Sequence, residues 1–159
     1  MCIHNTGNLN LAKTSKGVAE LVSHVRLKSF TQVLAGFLSR YCSYDEITIL
    51  VCSPNEVPAL VYPQGDENHT PMLQDYFNSE YLMDPSLNPE ISGDRSVFRL
   101  TDLYQGSLTE GQFYRRYYQH LGYSDEVLLS IKVGNENRII ISLGRKAVLG
   151  KVSRRELNQ

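Results

Sequence analysis

Apolar residues near the start of the chain recur at the spacing of two amphipathic helices. The first stripe begins after Ser15, and its members are Val18, Leu21, Val22 and Val25. This i, i+3, i+4, i+7 pattern gives a helix one apolar face. A second and broader stripe runs from Phe30 to Tyr41, and it predicts a second helix with a wider buried face.

The pattern then changes to the short apolar runs of strands. Residues 46–53 (EITILVCS) and 57–63 (VPALVYP) are separated by the turn sequence PNE, which predicts a short hairpin. Pro58 cannot donate a ladder hydrogen bond, so the second strand is predicted to begin at a sheet edge. Residues 125–134 and 138–145 predict a second hairpin, with turn residues in the gap between them.

A third helix, from Thr70 to Asp84, is predicted between the two hairpins. Thr70 can cap its N-terminus, and Pro71 suits the first helical position. Pro85 disfavours helical geometry in the residue before it, so Asp84 closes the helix. The sequence SVFRLTDL over 96–103 then predicts a short strand or an extended segment.

The tyrosine-rich sequence TEGQFYRRYYQHLGY predicts a helix over 109–121. Thr109 and Gln112 have capping-box spacing, and Gly122 suits the position just past a helix end. One predicted face is apolar and consists of Phe113, Tyr114, Tyr117, Tyr118 and Leu121. The other is solvated and consists of Arg115, Arg116 and Gln119. Because the two classes separate by face, the pattern favours packing over nucleic-acid contact.

The order helix, helix, hairpin, helix, extended segment, helix, hairpin indicates an α+β fold. We expect a GAF/PAS-like sandwich, in which helices flank a central antiparallel sheet. We expect residues 15–150 to form this domain and the polar residues 1–14 to be a flexible N-terminus. Residues 151–159 begin a further helix, where Ser153 and Glu156 have capping-box spacing.

Composition indicates one globular domain without a basic surface. The chain has 159 residues, of which 42% are hydrophobic and 21% charged, with a net charge of −1. That charge supplies no field for binding DNA phosphates. Cys2, Cys42 and Cys52 form no Cys-x-x-Cys pair, and the last two are expected to be core residues in a reducing compartment. No apolar run is long enough to span a bilayer, so we expect a cytoplasmic protein without membrane contact.

The sequence contains no motif for catalysis, metal binding or cofactor binding. The histidines are scattered and form no His-x-x-x-His pair; they are His4, His24, His69 and His120. A nucleophile elbow, a phosphate-binding Walker loop and a dinucleotide-binding glycine pattern are all missing from the sequence. We therefore expect no metal, no cofactor and no enzymatic activity.

Two aromatic clusters supply the candidate binding residues. The tyrosines of 109–121 can pack in the core, or they can present hydroxyls to a cavity between sheet and helices. In the preceding helix, Tyr76 and Tyr81 are five residues apart, so their side chains are not aligned along one line of the helix surface. Asp84 is either an exposed turn residue or an acceptor aimed back over the sheet. Its position before a proline favours the turn.

Five segments in the same order resemble the N-terminal sensory region of LuxR-type bacterial transcription regulators. They are LVYPQG, YFNSEYLMDP, VFRLTDL, FYRRYYQHLGYSDE, and IIISLGR with the later VSRREL. The resemblance covers about residues 15–159. It implies a GAF-like or autoinducer-domain-like fold that senses a small molecule or a partner. It also implies a homodimer, and a helix-turn-helix DNA-binding domain after the end of this chain.

The resemblance further implies a ligand site. In quorum-sensing members an aspartate before a proline accepts a hydrogen bond from the ligand amide, and Asp84 with Pro85 matches that pair. Tyr76 or Tyr81 matches the tyrosine upstream of it, but the tryptophan of the pattern is missing and Arg99 lies near that place. An arginine there favours a carboxylate or phosphate ligand. The ligand-binding candidates are Tyr76, Tyr81, Asp84, Arg99, Tyr114 and Tyr117.

Three hypotheses follow for the function. The first is a sensory domain that binds a carboxylate- or amide-containing small molecule and controls an attached DNA-binding domain. The second is a ligand-free dimerisation or protein-interaction module with the same fold. The third is a small enzyme, which would need two titratable groups in one cleft, such as His120 and Asp84. A cavity would favour the first, and a filled core with an exposed apolar patch would favour the second.

Overall fold

A five-stranded antiparallel sheet forms the centre of the molecule. The computed structural model describes residues 11–63, 71–88, 91, 93, 96–104, 108–134 and 136–157. The strands are β1 (Glu46–Cys52), β2 (Ala59–Tyr62), β3 (Val97–Arg99), β4 (Tyr123–Val133) and β5 (Asn137–Lys146). Their order across the sheet is β2-β1-β5-β4-β3, with every neighbouring pair antiparallel. Both predicted hairpins are therefore present, and β2 lies at an edge as Pro58 predicts.

Helices cover both faces of this sheet. They are α1 (Leu11–Ser23), α2 (Phe30–Leu38), α3 (Pro71–Asn78), α4 (Gln112–Arg116) and α5 (Arg154–Leu157). One face packs against side chains of α2 and α5, including Leu34, Leu38 and Leu157. The other packs against Tyr76 of α3 and Phe113 of α4. The α+β sandwich with a central antiparallel sheet is thus confirmed.

The helix predicted from Thr70 to Asp84 is broken. It begins at Pro71 as expected, while Thr70, its predicted cap, lies outside the described residues. The α-helix ends at Asn78, and a 3₁₀ turn over Glu80–Met83 follows, because Ser79 adopts a backbone φ of −159°. In a continuous α-helix, residues 76 and 84 would lie about 12 Å apart along the helix axis. The break instead brings the side chains of residues 76 and 84 together.

The helix predicted over 109–121 is also interrupted. A 3₁₀ turn over Leu108–Glu110 precedes α4, and a second over Tyr118–Leu121 follows it. Gly111 is the residue before α4, so the predicted Thr109–Gln112 capping box is wrong. Tyr117 leaves helical geometry, with φ −129° and ψ −64°, and both Tyr117 and Tyr118 are buried. Gly122 closes the segment in the left-handed region at φ +69°, as its position predicts.

The apolar stripe of α1 does not enter the core. Three valines of the stripe remain largely exposed, because α1 packs on α2 rather than on the sheet. Val18 and Val22 of α1 are 45% and 64% exposed, and Val25, two residues past its end, is 52% exposed. Gly17 makes that contact close, since a Cβ there would lie 2.7 Å from the ring of Phe37. α1 begins at Leu11, four residues before the predicted start at Ser15.

The short helix α5 has the cap that the sequence predicts. The Ser153 backbone N–H donates to Glu156 Oε2 at 2.9 Å, and the Glu156 N–H donates to Ser153 Oγ at 3.3 Å. Each residue thus satisfies a helix-terminal donor of the other. No helix within the described ranges is both long and apolar enough to cross a membrane. Cys42 and Cys52 are free and partly buried, while Cys2 lies outside the described residues.

Candidate functional site: a bipolar cavity

A cavity of about 450 Å³ lies between the sheet and the segments that contain α3 and α4. Its volume is on the scale of small-molecule sites. The strands β1, β4 and β5 contribute Leu50, Leu128 and Ile140 to one wall, and Phe113 and Leu121 belong to the opposite wall. These apolar walls carry polar side chains at two places. We name them the Asp84 pole, formed by Tyr76, Asp84 and Ser86, and the Glu126 pole, formed by Tyr118, Glu126 and Ser142.

The Asp84 pole is a carboxylate held by three hydrogen bonds. The Tyr76 hydroxyl donates to Asp84 Oδ2 at 2.8 Å. The backbone N–H and the hydroxyl of Ser86 donate to Oδ1 at 2.8 and 2.7 Å. Burial raises the pKa of Asp84, and the hydrogen bonds from Ser86 and Tyr76 oppose that rise. These donors fix the direction of the carboxylate.

Among the described residues, one lone-pair position of the Asp84 carboxylate has no hydrogen-bond donor. A carboxylate offers about four lone-pair sites, and the described residues use three of them. Asp84 lines the cavity and retains accessible surface there, although it is otherwise enclosed. It is a turn residue as well, since the Leu87 N–H donates to its carbonyl oxygen at 3.2 Å. Asp84 is thus a turn residue, but its carboxylate is hydrogen-bonded in the cavity wall rather than exposed as the turn interpretation expected.

The Glu126 pole was not predicted from the sequence. Glu126 belongs to β4, whose side chains alternate, so that Asp125 faces the other side of the sheet from Glu126 and Leu128. The hydroxyl of Ser142 on β5 donates to Glu126 Oε1. Burial raises the pKa of Glu126 to about 8. The sequence signal that could have identified this pole is Glu126 itself, a charged residue within the apolar pattern of β4.

Strand register places the Glu126 pole toward one end of the sheet. Glu126 pairs with Gly144 of β5, and Gly144 also pairs with Glu46 of β1. Four residues earlier in β5, Ile140 pairs with Leu50, and both side chains belong to the apolar wall. Four residues of strand span about 14 Å. The cavity therefore has polar side chains at the Glu46 end and apolar ones at its middle.

The Asp84 pole lies toward the opposite end. Burial, and after it the charge of Asp84, raises the pKa of Cys52 to about 11. Cys52 is the last residue of β1, whereas Glu46, at the level of Glu126, is the first. The two poles are thus offset along the strands. Burial, and with it the charge of Asp84, raises the pKa of Glu126, so the two carboxyl groups interact across the cavity.

The ring of Tyr123 covers the Glu126 end of the cavity. A Cβ on Gly144 would lie 2.3 Å from a Tyr123 ring carbon, so the ring lies directly against the β5 backbone. The Tyr123 hydroxyl donates to Glu46 Oε2 at 2.6 Å, and Lys146 Nζ lies 2.6 Å from Glu46 Oε1. Tyr118 meets the Tyr123 ring edge-on at 5.9 Å between centroids.

Three of the six predicted site residues line the cavity: Tyr76, Asp84 and Tyr117. The structure brings these together, since the rings of Tyr76 and Tyr117 pack at 5.2 Å and Tyr76 bonds to Asp84. Tyr81 and Tyr114 are partly buried and pack against the same core without lining the cavity.

Arg99 lies outside the cavity. Its guanidinium pairs with Asp102, with Nη2 2.8 Å from Oδ1 and Nε 3.3 Å from Oδ2, and its side chain is 25% exposed. Among the described lining residues there is no Lys, Arg or His, while Glu46, Asp84 and Glu126 all contribute carboxyl groups. No cluster of metal-ligating side chains occurs in the part of the chain that the structure describes.

Comparison with known proteins finds similarity at the level of structure. No family model and no curated protein matches the sequence. Ten chains of solved structures match. The ligand-binding domain of VqsR from Pseudomonas aeruginosa superposes with a TM-score of 0.68 at 22% identity, covering 84% of this chain and 80% of that one. SdiA in complex with octanoyl-rac-glycerol superposes with a TM-score of 0.58 at 18% identity, covering 96% of this chain.

These neighbours define the class of fold. VqsR and SdiA are LuxR-type regulators, and this chain has the fold of their ligand-binding domains. The resemblance to the sensory region of LuxR-type regulators that the sequence predicts is confirmed in the fold. The chain spans 62% of the length of SdiA and 80% of the length of the VqsR domain.

Proposed function

We propose that this chain is the sensory domain of a LuxR-type transcription regulator, and that it binds a small molecule in the cavity between the sheet, α3 and α4. The observation that carries the proposal is the buried carboxylate of Asp84 in the wall of an apolar cavity of about 450 Å³. A filled core would need no such arrangement. An orienting set of donors on a carboxylate that still faces empty space is typical of a binding site.

The cavity favours a ligand with a hydrogen-bond donor over an anionic ligand. Asp84 is an acceptor, and its remaining lone pair suits an amide N–H or a hydroxyl. The Asp84 carboxylate would repel a carboxylate ligand, although Glu126, with its pKa raised to about 8, is mostly protonated at neutral pH. Arg99, the predicted anion partner, is engaged by Asp102 outside the cavity. Of the two ligand classes expected from the sequence, the amide-containing class therefore fits better. The apolar wall then takes the rest of the molecule.

A second copy of the chain is the partner we propose for α1. The resembling family acts as dimers, and the face with Val18, Val22 and Val25 is exposed here. Sedimentation velocity of the wild type and Val22→Glu tests this assignment, with Val148→Glu as the control because Val148 is 96% exposed in a turn. Loss of a dimer in Val22→Glu alone is expected. A monomeric wild type, or a dimer that survives Val22→Glu, contradicts the assignment.

Regulation in this proposal follows from differential affinity. A ligand shifts a conformational equilibrium only if it binds one state more tightly than the other. We propose that the bound state presents an attached DNA-binding domain, in the cytoplasm, differently from the free state. In the family that the sequence resembles, the DNA-binding domain follows the sensory domain, and we propose that the segment with α5 leads towards it.

Thermal unfolding with ligand tests the proposed function. Octanoyl-glycerol and an acyl-homoserine lactone are the probes, because both combine an apolar chain with a hydrogen-bonding head. At about 100 times its Kd, a ligand adds about 2.7 kcal/mol and raises the Tm by about 5–10 °C. We expect a rise for the wild type and a much smaller one for Asp84→Asn. Unchanged Tm values with every probe would contradict the proposal.

Two control substitutions test whether the effect of Asp84→Asn on ligand binding is specific to the cavity. Asp102→Asn removes a carboxylate of the same size that lies outside the cavity, where it pairs with Arg99. Arg99→Ala removes the other partner of that pair. Both variants are expected to show the full ligand-dependent rise in Tm. If Arg99→Ala abolishes the rise and Asp84→Asn does not, the probes bind near Arg99 outside the cavity, and the proposal is contradicted.

A further inference from the structure

The hydroxyl of Tyr118 is a buried donor without a partner. Tyr118 is 2% exposed and lines the cavity, and its hydroxyl finds no hydrogen-bond partner among the described residues. An unsatisfied buried hydroxyl costs about 1–3 kcal/mol. Native proteins rarely leave such groups unpaired. A group that enters the cavity and accepts a hydrogen bond would remove this cost.

Glu126 supplies a complementary acceptor nearby. Its carboxyl group lines the cavity and receives the Ser142 hydroxyl on Oε1. Two observations place it close to Tyr118. Tyr118 packs on Tyr123, which lies over Gly144, and Gly144 pairs with Glu126. Burial, and after it the charge of Glu126, also raises the pKa of the Tyr118 hydroxyl.

A hydroxyl group satisfies both residues at once. It can donate to a carboxyl oxygen of Glu126 while its own oxygen accepts from Tyr118. An ammonium group could only donate, which leaves the Tyr118 hydroxyl hydrogen unpaired. A carboxylate could only accept, and it would be repelled once Glu126 ionises near pH 8. A plain hydrocarbon end would leave Tyr118 unpaired and Glu126 dehydrated. The Glu126 pole therefore requires a group that both donates and accepts.

We propose that the Glu126 pole is a second recognition site of the cavity, and that it selects ligands that carry a hydroxyl group at the end remote from Asp84. This inference rests on the proposed function, because it assumes that the ligand head binds at Asp84. The ligand is then an elongated molecule with an apolar middle against Leu50, Leu128 and Ile140. Its two polar ends are set apart along the strands, as the two poles are.

Calorimetric titration of matched ligands tests this inference. The probes are octanoyl-glycerol and its analogue with a terminal hydroxyl on the acyl chain, which differ in one oxygen atom. We expect the wild type to bind the hydroxylated analogue about tenfold more tightly, the gain from about one to two satisfied hydrogen bonds. Tyr118→Phe is expected to lose most of this preference, and Glu126→Leu to prefer the unmodified ester.

The controls distinguish the two poles and the two proposals. Asp84→Asn should weaken both esters alike and leave their affinity ratio unchanged, and Tyr114→Phe should change neither, since Tyr114 does not line the cavity. If Glu126→Leu does not fold, the affinity ratio of the two esters for Tyr118→Phe is the decisive measurement, because this substitution removes only an oxygen atom. Equal affinity of the wild type for both esters overturns the inference and leaves the proposed function standing. Binding of neither ester overturns both.

Discussion

Glu126 links the chemistry of the site to the stability of the protein. Its carboxyl group is buried in the cavity wall, and burial raises its pKa from 4.5 to about 8. The folded state therefore binds the proton more strongly than the unfolded state does. The stabilising contribution of the protonated form is complete below about pH 4.5, and it is lost as the pH rises to about 8.

Replacing Glu126 with glutamine should abolish this pH dependence. The side chain keeps its shape but no longer ionises, so Glu126→Gln gains stability relative to the wild type as the pH rises from about 4.5 to 8. The gain is on the order of a few kcal/mol at most. Melting temperatures measured across this range check it, with the exposed Glu56→Gln as the control. A constant difference between wild type and Glu126→Gln at all pH values would refute the assignment.

Gly144 determines where the ring of Tyr123 lies. A methyl group at residue 144 would meet three ring atoms at 2.3 to 2.8 Å, so the ring must move and lose its hydrogen bond to Glu46. Gly144→Ala is expected to cost about 1–3 kcal/mol in the free energy of unfolding. Gly36→Ala is the control, because a Cβ there meets nothing within 4 Å. That helical substitution should stabilise by about 0.5–1 kcal/mol. Urea denaturation measures both, and equal effects would contradict this account.

At the scale of elements, the C-terminal segment is fixed to the sheet by buried charges. Arg145 on β5 is 3% exposed; it donates to the Ser43 carbonyl at 2.8 Å and pairs with Glu156 of α5. Asp125 Oδ2 accepts from the Val152 N–H at 2.8 Å. Asp125 and Glu126 are adjacent on β4 and face opposite sides of the sheet. The cavity and the C-terminal segment are therefore attached to the same strand.

Arg145→Met should release α5 from the sheet. Arg145→Met is expected to cost about 1–3 kcal/mol in the free energy of unfolding, because the Ser43 carbonyl loses its donor while Glu156, 29% exposed, remains solvated. Hydrogen exchange should show faster exchange of the amides in 151–157, with the amides of β4 and β5 still protected. Arg40→Ala is the control: it breaks the ion pair with Glu20, in which both side chains are about half exposed, and should cost under about 1 kcal/mol. Unchanged exchange in 151–157 would contradict this role of Arg145.

The sequence predicted most elements and missed the breaks within them. Both hairpins, the edge strand and the α5 cap follow from local patterns, since apolar alternation, Pro58 and Ser153 act over a few residues. The breaks at Ser79 and Tyr117 depend on packing against the sheet, which no local pattern encodes. The apolar stripe of α1 was recognised correctly, but its periodicity did not reveal that this face remains exposed.

The site was predictable to the extent that it uses short-range signals. Asp84 before Pro85, and Tyr76 or Tyr81 upstream of it, were identified through the resemblance to quorum-sensing regulators, because the local pattern alone favoured an exposed turn. The Glu126 pole combines β4, β5 and the turn after α4, so its members come together only through strand register. Arg99 lies near Asp102 in sequence, and this local pair holds it outside the cavity. Long-range proximity therefore limits what the sequence alone can predict here.

At the scale of the whole molecule, the sheet separates two different environments. One face is a packed core against α2 and α5, built around Ile49, Ile141 and Leu143. The other carries the cavity, with a carboxyl group toward each end. The packed face therefore supports the sheet beneath the cavity and also holds the C-terminal segment. In the proposed sensor, ligand binding in the cavity on one face must change the packing of the C-terminal segment on the other face.

The most direct test of a ligand site in this cavity is an amide chemical-shift titration with octanoyl-glycerol. The ¹H–¹⁵N spectrum reports every residue separately, so it locates binding as well as detecting it. We predict saturable shifts that are largest at cavity residues on both walls, such as Ser86, Tyr117, Leu128 and Ser142. An unchanged spectrum, or shifts confined to the exposed face of α1, would contradict the account.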